Sequence, residues 1–253
     1  MRETVSEPSS LAAELSHVTK FYRRRHLGKL TQTKGVEDIS LGIRKGEVFG
    51  LLGLNGAGKT TAIKLLLGLL FPTRGETRLF GVPLPNREIM HRIGYLPELP
   101  TLYKYLTIRE LLQLYGDLSD MPPAVLRERM PRVIDEIGLG PHQGKHLKEY
   151  SKGMLQRAGL AQALLHDPDL LILDEPVSGL DPLGLKEMRQ LLVRLNSQGK
   201  TIFFSSHIIS EAEKICHRVG ILHGGSLSRI LEKKEWEGRE GHLEQLFLET
   251  IHA

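Results

Sequence analysis

The sequence has few of the features that would place a protein outside the cell or within a membrane. Its single cysteine, Cys216, excludes an internal disulfide framework, and no apolar run reaches the length needed to cross a bilayer. No signal-peptide pattern opens the chain. We therefore expect a cytosolic protein, which could act at a membrane only by binding another protein that spans it.

An excess of one charge sign is also missing. Thirty-four Lys and Arg stand against thirty Asp and Glu, which leaves a net charge of +4. This excess is too small to argue for nucleic acid by itself, and no nucleic-acid partner is expected, although a pI near 9.1 would suit a protein that works beside an anionic surface. The remaining composition is ordinary, because 40% hydrophobic and 25% charged residues over 253 positions suit one large globular domain or two small ones.

The stretch Gly53–Thr61, GLNGAGKTT, fits the complete pattern of a phosphate-binding loop. Glycines let the backbone turn its N–H groups around an anion, Lys59 can reach the β- and γ-phosphates, and the Thr60 hydroxyl can ligate Mg²⁺. A strand-like run precedes the loop and a helix-like run follows it, so that the positive end of the helix adds to the cradle. A Gly-rich turn with an incidental lysine is the weaker alternative. The predicted nucleotide contacts are Gly53, Asn55, Gly56, Ala57, Gly58, Lys59, Thr60 and Thr61.

Hydrophobic periodicity predicts an α/β protein. Short apolar or alternating runs indicate strands at 15–22, 36–43, 47–52, 75–80, 170–174, 201–206 and 219–222, with a basic turn over 23–29. Helical patterns occupy 60–70, 183–196, 208–216 and 242–251. From 86 to 161 the helical period dominates, with a helix capped by Thr107 and another over 124–137 that Pro131 should kink or split.

Two strand ends carry side chains suited to phosphate chemistry. The run Leu170–Glu175 reads as a buried parallel strand that delivers Asp174 and Glu175 to the carboxyl edge of the sheet, where α/β folds keep their ligands. Asp174 is then placed for Mg²⁺, and Glu175 for polarising the water that attacks the γ-phosphate. His207 follows the strand at 201–206 and could hold water and phosphate in register, although a structural role remains open for it. Tyr22 could offer its ring to a purine or could simply pack.

In their order along the chain these motifs resemble those of the ATP-binding cassette (ABC) family, and the resemblance covers about 11–231. The phosphate loop resembles Walker A, Leu170–Glu175 resembles Walker B, and Tyr150–Arg157 is similar to the family signature. Ser178–Asp181 looks like the D-loop, and His207 looks like the switch histidine. The signature has Lys152 and Met154 where Gly and Gln are usual, and Glu98 stands in place of the Q-loop glutamine, two variants that resemble cassettes serving export-type permeases.

The resemblance implies a set of roles. ATP and Mg²⁺ would be the cofactors, with Glu175, His207 and Lys59 catalytic, Tyr22 on the nucleotide, and the metal held by Thr60, Glu98 and Asp174. Ser151 and Gly153 would contact the nucleotide of a partner subunit, so that ATP joins two copies, or a copy and a similar chain, head to tail. Exposed apolar residues near 102–108, such as Leu102, Tyr103 and Tyr105, would receive a cytoplasmic helix of an integral membrane permease. Simple packing inside the helical insert is an equal alternative for these residues.

These observations predict a P-loop NTPase core, a mostly parallel sheet with helices on both sides, joined to an N-terminal antiparallel β subdomain and an inserted α-helical subdomain. We expect one ATPase domain over 11–231, with the core at 11–85 and 162–231 and the helical insert at 86–161, followed by a tail over 232–253 that contains a short amphipathic helix. The expected function is the ATPase subunit of an export-type ABC transporter at the cytoplasmic face of the membrane. The alternatives are a non-transport ABC ATPase acting on ribosomes or DNA, and a nucleotide switch or metabolite kinase that would leave the signature unexplained.

Overall fold

The computed structural model describes residues 10–26 and 29–252, and the chain separates into two units. Unit 1 contains the described residues up to Met90 and those from Ser205 onward, whereas unit 2 comprises His91–Phe204. The strands within the described residues are β1 Leu11–His26, β2 Lys29–Arg44, β3 Val48–Leu52, β4 Arg74–Leu79, β5 Val82–Pro83, β6 Ile93–Leu96, β7 Leu170–Asp174, β8 Thr201–Ser206, β9 Arg218–His223 and β10 Ser226–Glu232. The α-helices are α1 Lys59–Leu66, α2 Ile108–Leu118, α3 Pro123–Glu136, α4 Lys152–Leu164, α5 Pro182–Ser197, α6 Ile209–Ile215 and α7 His242–His252.

An antiparallel sheet opens unit 1, with the strand order β2-β1-β4-β5. Its inner positions are apolar, as in the pairs Leu15↔Leu41 and Ala13↔Leu79. The predicted basic turn over 23–29 is wrong for residues 23–26 and 29, because β1 and β2 stay paired as far as His26↔Lys29. Residues 27–28 lie outside the described part of the chain. Cross-strand hydrogen bonding there outweighs the preference of charged residues for turns.

The strands outside the antiparallel sheet include two parallel pairs. In unit 1, β3 runs parallel to β9 and β10 pairs antiparallel with β9. In unit 2, β6 runs parallel to β7 with Leu96 opposite Leu173. Every residue of β3, β7 and β8 is buried, which explains why apolar residues dominate these strands on both faces.

The helical insert departs from the sequence prediction at two places. β6 lies where the helical period was expected to continue, because a parallel neighbour satisfies its backbone. Of the two outcomes expected for Pro131, a kink or a split, the split is wrong, since α3 is a single helix with Pro131 inside it. Leu126, Met130, Val133 and Ile134 are buried along one face of α3, and this packing compensates for the missing N–H of the exposed proline. Thr107 forms the predicted capping box with Glu110 at the start of α2.

Helices α3 and α4 are joined by arginines that cap each other's carboxyl ends. Arg129 on α3 donates from Nη2 to the carbonyl of Leu164 at 3.0 Å and from Nε to that of Leu165 at 3.3 Å. Arg157 on α4 donates to the carbonyl of Ile137, the C-cap residue that follows α3, at 3.4 Å. Cations at the carboxyl ends of helices are favourable because they face the unpaired carbonyls and the negative end of the dipole.

The C-terminal segment packs against other elements of unit 1. Trp236 is buried, as expected from the sequence, and its Nε1 donates to the carbonyl of Glu213 at 3.3 Å. The Glu213 carboxylate accepts from the N–H groups of Gly241 and Leu243 at the start of α7, and α7 rests on α6, β9 and β10. The predicted terminal helix therefore forms and is held by an acid at its positive end.

Candidate nucleotide-binding site

The loop between β3 and α1 is a tight backbone turn that only glycine permits at its key positions. A Cβ on Gly58, whose φ is +108°, would lie 2.6 Å from the carbonyl oxygen of Gly35. A Cβ on Gly53 would lie 2.5 Å from the carbonyl oxygen of Leu222 at the end of β9. Close backbone contacts with β2 and β9 therefore fix the shape of the loop before any ligand binds.

Lys59 is buried within this loop. Its Nζ donates to the carbonyls of Gly53 at 2.8 Å and Leu54 at 3.3 Å, so the ammonium is held at the centre of the turn. No acidic side chain occupies the first turn of α1, and Gly58, at its N-cap, provides no side-chain cap. The amino end of α1 thus keeps its N–H groups and positive dipole for an anion.

Two further residues of unit 1 lie close to the loop. The Tyr22 hydroxyl lies 3.1 Å from Thr61 Oγ1, which leaves the exposed Thr60 as the threonine of this turn whose hydroxyl can face a metal. The ring of Tyr22 rests against Gly35, where an added Cβ would come within 2.7 Å of it. His207 is exposed directly after Ser206, whose carbonyl accepts the N–H of Gly53 at 3.3 Å. The sequence alone did not indicate the roles of Gly35, Leu222 and Ser206, because each acts through its backbone.

The acidic strand end lies in unit 2. Asp174 is 3% exposed. The pKa of Tyr95 on the adjacent β6 is raised, first by the burial of its own ring and then by the negative charge of Asp174. Glu175 is 5% exposed and has a φ of +50°, a left-handed conformation that costs an L-residue about 1–2 kcal/mol. Strain of this kind concentrates at functional sites.

Glu98 leaves the sheet at the same edge as these acids. It follows β6, and because Leu96 at the end of β6 pairs with Leu173, the exposed Glu98 and the buried Asp174 both lie beyond the carboxyl ends of these strands. Among residues 10–26 and 29–252, no group of three His, Cys, Asp or Glu side chains could hold a metal by itself. This donor set suits Mg²⁺, which keeps waters and substrate phosphates as ligands and needs only one or two carboxylates from the protein.

Ser151 and Gly153 open α4 as the sequence predicted. Ser151 is the N-cap and its Oγ accepts from the Met154 N–H at 3.3 Å. Gly153 lies against α5 at Gly184, where an added Cβ would meet the Gly184 Cα at 3.9 Å. No acid occupies the first turn of α4, so this helix also keeps an exposed positive end.

The signature residue Lys152 contacts the segment Ser178–Asp181. Its ammonium fills the space that a side chain at Gly179 would need, since an added Cβ would come within 2.2 Å of the Lys152 Nζ. Gly179 has a φ of +64°, and Asp181 caps α5 through the Gly184 N–H at 2.8 Å. The signature and D-loop segments are therefore adjacent in unit 2.

The predicted docking surface is partly corrected. Tyr103 and Tyr105 are 62% and 80% exposed, but Leu102 is buried and belongs to the core of unit 2. Leu99, which the sequence analysis did not select, is 73% exposed in the same segment. Within the part of the chain that the structure describes, no helix is both long enough and apolar enough to cross a bilayer.

Comparisons with known proteins agree with this arrangement. The profile of the family described as "ABC transporter" matches residues 36–178. An uncharacterized ABC transporter ATP-binding protein of Nostoc sp. is 53% identical over 201 residues, which is 79% of this chain and 59% of that protein. The bacitracin transport ATP-binding protein BcrA of Bacillus licheniformis is 44% identical over 77% of this chain and 63% of its own length. The lantibiotic transport ATP-binding protein SrtF of Streptococcus pyogenes is 37% identical over 85% and 90%.

The matched region spans less than two thirds of the Nostoc and Bacillus proteins. Among solved structures, an ATP-binding subunit of an ABC transporter has a TM-score of 0.78 at 31% identity, over 94% of this chain and 99% of that one. The cassette MJ0796, solved as a dimer bound to ADP and Pi, has a TM-score of 0.76 at 25% identity, over 87% and 98%. These likenesses confirm the predicted α/β cassette fold.

Proposed function

This chain belongs to the ABC transporter family, and on that premise we propose that it is the ATP-hydrolysing subunit that powers transport, of the export type, through a separate membrane permease. The observation that carries the proposal is the preformed loop around buried Lys59, at the open amino end of α1. The relatives named above are all transport or transporter ATP-binding proteins, and two are named for the transport of bacitracin and of a lantibiotic. This favours transport over work on ribosomes or DNA.

In this proposal, unit 1 binds the nucleotide. The N–H groups of the loop and Lys59 hold the phosphates, and Tyr22 packs on the adenine with its hydroxyl anchored on Thr61. Thr60 and Asp174, with Glu98 as a further oxygen donor, would hold Mg²⁺, which when bound neutralises developing charge on the phosphates.

Catalysis falls to two side chains at strand ends. Glu175 accepts a proton from the attacking water, and its fixed left-handed backbone limits where the carboxylate can be. His207, exposed next to a residue bonded to the loop, orients the γ-phosphate and the water. Positioning of this kind, together with charge stabilisation, accounts for most of the acceleration of phosphoryl transfer.

We further infer that two copies combine head to tail. The amino end of α4, with Ser151 exposed and no acid in the first turn of the helix, is suited to the phosphates of a nucleotide bound by the other copy. MJ0796 is similar to this chain and was solved as a dimer, which supports the inference. The exposed Leu99, Tyr103 and Tyr105 would contact the permease at the cytoplasmic face of the membrane.

The test uses a variant that binds ATP without hydrolysing it. Glu175→Gln should form a dimer with ATP, measured by light scattering, and in cells it should be retained in the membrane fraction together with a polytopic protein. The matched control is Glu128→Gln, which removes an exposed carboxylate from α3 and should behave as the wild type. The proposal would be overturned if Glu175→Gln were recovered with ribosomes rather than membranes. It would also be overturned if the variant stayed a monomer with ATP, both in solution and in the membrane fraction.

A further inference from the structure

A basic recess lies in unit 1 at the edge opposite the phosphate loop. It is bounded by the turn before β3, by the start of β9 and by the end of β10, and it has a volume of about 370 Å³. Because β3 and β9 are parallel, the segments before them lie at one edge and the phosphate loop lies at the other. The five residues of β3 separate the two by about 17 Å, so this recess is not part of the nucleotide site.

The recess has an excess of positive charge. Five basic side chains line it, Arg44, Lys45, Arg218, Lys233 and Lys234, whereas its carboxylates are Glu47 and Glu232, which leaves an excess of three. The excess is local, because the whole chain carries only +4 over 253 residues. A concave surface lined by one sign of charge concentrates counter-ions.

The two carboxylates are already committed to partners. Glu47 is buried, accepts the N–H of Arg44 at 2.6 Å and pairs with Nη1 of Arg218 at 3.1 Å. Glu232 pairs with Lys234 and Arg44, each at 3.3 Å, and these contacts hold the pKa of its carboxyl below the ordinary value. The positive charge that these two carboxylates do not neutralise is therefore available to an anionic ligand.

The lysines at the rim are the groups that a ligand could reach. Lys45 is exposed and forms no ion pair with a carboxylate in residues 10–26 and 29–252, and its Nζ lies 6.0 Å from the centroid of the Phe80 ring. Lys233 is also exposed and has only a long pair with Glu237, at 3.7 Å. Exposed pairs of this kind contribute little, so both ammonium groups can turn to an incoming anion.

The floor of the recess is rigid. The N–H of Val48 donates to Nδ1 of His217 at 2.9 Å, which places the proton of the neutral ring on Nε2, a donor on an exposed side chain. The backbone of His217 also accepts from the N–H of Lys233 and donates to the carbonyl of Val48, each at 2.9 Å. Arg218 is fixed below, 12% exposed, with its guanidinium 5.3 Å from the Phe49 ring centroid. A site held in place before binding loses little entropy on binding.

We propose that this recess is a second anion site, which binds the phosphate group of a small molecule or of a lipid headgroup. A phosphate monoester carries about two negative charges at neutral pH, so a mono- or diphosphate matches the local excess. Lys45, Lys233 and the His217 Nε2–H supply the hydrogen bonds. The proposal stands apart from nucleotide hydrolysis, because none of these residues is in the phosphate loop or at the acidic strand end.

The experiment separates this recess from the nucleotide site. The full chain is first saturated with a non-hydrolysable ATP analogue and is then titrated with inorganic pyrophosphate in a calorimeter. In parallel, binding to phosphatidylcholine vesicles with and without phosphatidic acid is measured by co-sedimentation. The recess variant is Lys45→Gln/Lys233→Gln, and the matched control, Arg74→Gln/Arg87→Gln, removes the same charge from exposed positions of unit 1 that do not line the recess.

We expect one pyrophosphate per chain, with an affinity at least tenfold lower in the recess variant and unchanged in the control. If free pyrophosphate does not bind but phosphatidic acid vesicles do, and the recess variant alone loses them, the ligand is a lipid headgroup and the site stands. Equal losses in the two variants, or no binding of either probe by the wild type, would overturn the proposal. Thermal melts of both variants show whether the fold is intact.

Discussion

The left-handed backbone of Glu175 leads to a prediction about stability that is separate from activity. At a φ of +50° any L-residue is strained by about 1–2 kcal/mol, whereas glycine is not. Glycine in turn loses about 0.5–1 kcal/mol through the greater freedom of the unfolded chain. Glu175→Gly should therefore be more stable than Glu175→Ala by about 0.75 kcal/mol, the difference between the middles of these two ranges. For a chain of this size that corresponds to a melting temperature about 1–4 °C higher.

The comparison of alanine with glycine isolates the backbone, since neither side chain carries a carboxylate and neither variant should hydrolyse ATP. The matched control is Glu128, which lies within α3 and is 62% exposed. There Glu128→Gly should be less stable than Glu128→Ala by about 1 kcal/mol, the usual cost of glycine within a helix. Thermal unfolding of the four proteins provides the test. If glycine is less stable than alanine at both positions, the backbone of Glu175 is not strained and the reasoning fails.

Three other predictions follow from the site and its surroundings. Lys59→Ala should lower ATP affinity at least a hundredfold because the loop loses its buried cation, whereas Lys64→Ala in the last turn of α1 should not, and equilibrium binding of a fluorescent ATP analogue measures both. Ser151→Arg placed in the Glu175→Gln protein should leave ATP binding intact and abolish the ATP-dependent dimer seen by light scattering; a persisting dimer would remove Ser151 from the interface. Burial lowers the pKa of His166, so the folded state takes up its proton less readily than the unfolded state, and stability should fall as the pH drops below about 6.5. His166→Gln should show a smaller fall between pH 7 and pH 5 in denaturant titrations, and an unchanged pH profile would contradict this.

The phosphate loop could be predicted from the sequence because its chemistry is local. Successive glycines, a lysine and a threonine suffice to define the turn, and Lys59 is held within it. The capping box at Thr107 and the burial of Trp236 were predictable for the same reason, since each depends on a few neighbouring residues or on one large apolar side chain. The roles of Tyr22, His207 and Glu98 stay predictions.

Features set by distant partners could not be predicted. β6 has only four residues, one of them Gly94, and it forms because β7 supplies its hydrogen bonds. The basic residues after Tyr22 extend β1 rather than turning, because β2 pairs with them. Leu102 was expected at a surface for docking, yet it is buried, since hydrophobicity alone does not distinguish an apolar contact site from a core position.

The arginines that join α3 to α4 have a mechanical consequence. Because each helix anchors the carboxyl end of the other, neither can slide without breaking bonds at both ends, and the pair should rotate as one stiff rod. The thirteen residues of α4 span about 20 Å, so a tilt of about 5° pivoting near Arg129 displaces Ser151 by roughly 2 Å. A displacement of that size exceeds the tolerance of a hydrogen bond. A small push on the outer surface of α3 would thus be enough to make or break a contact at the far tip of the rod.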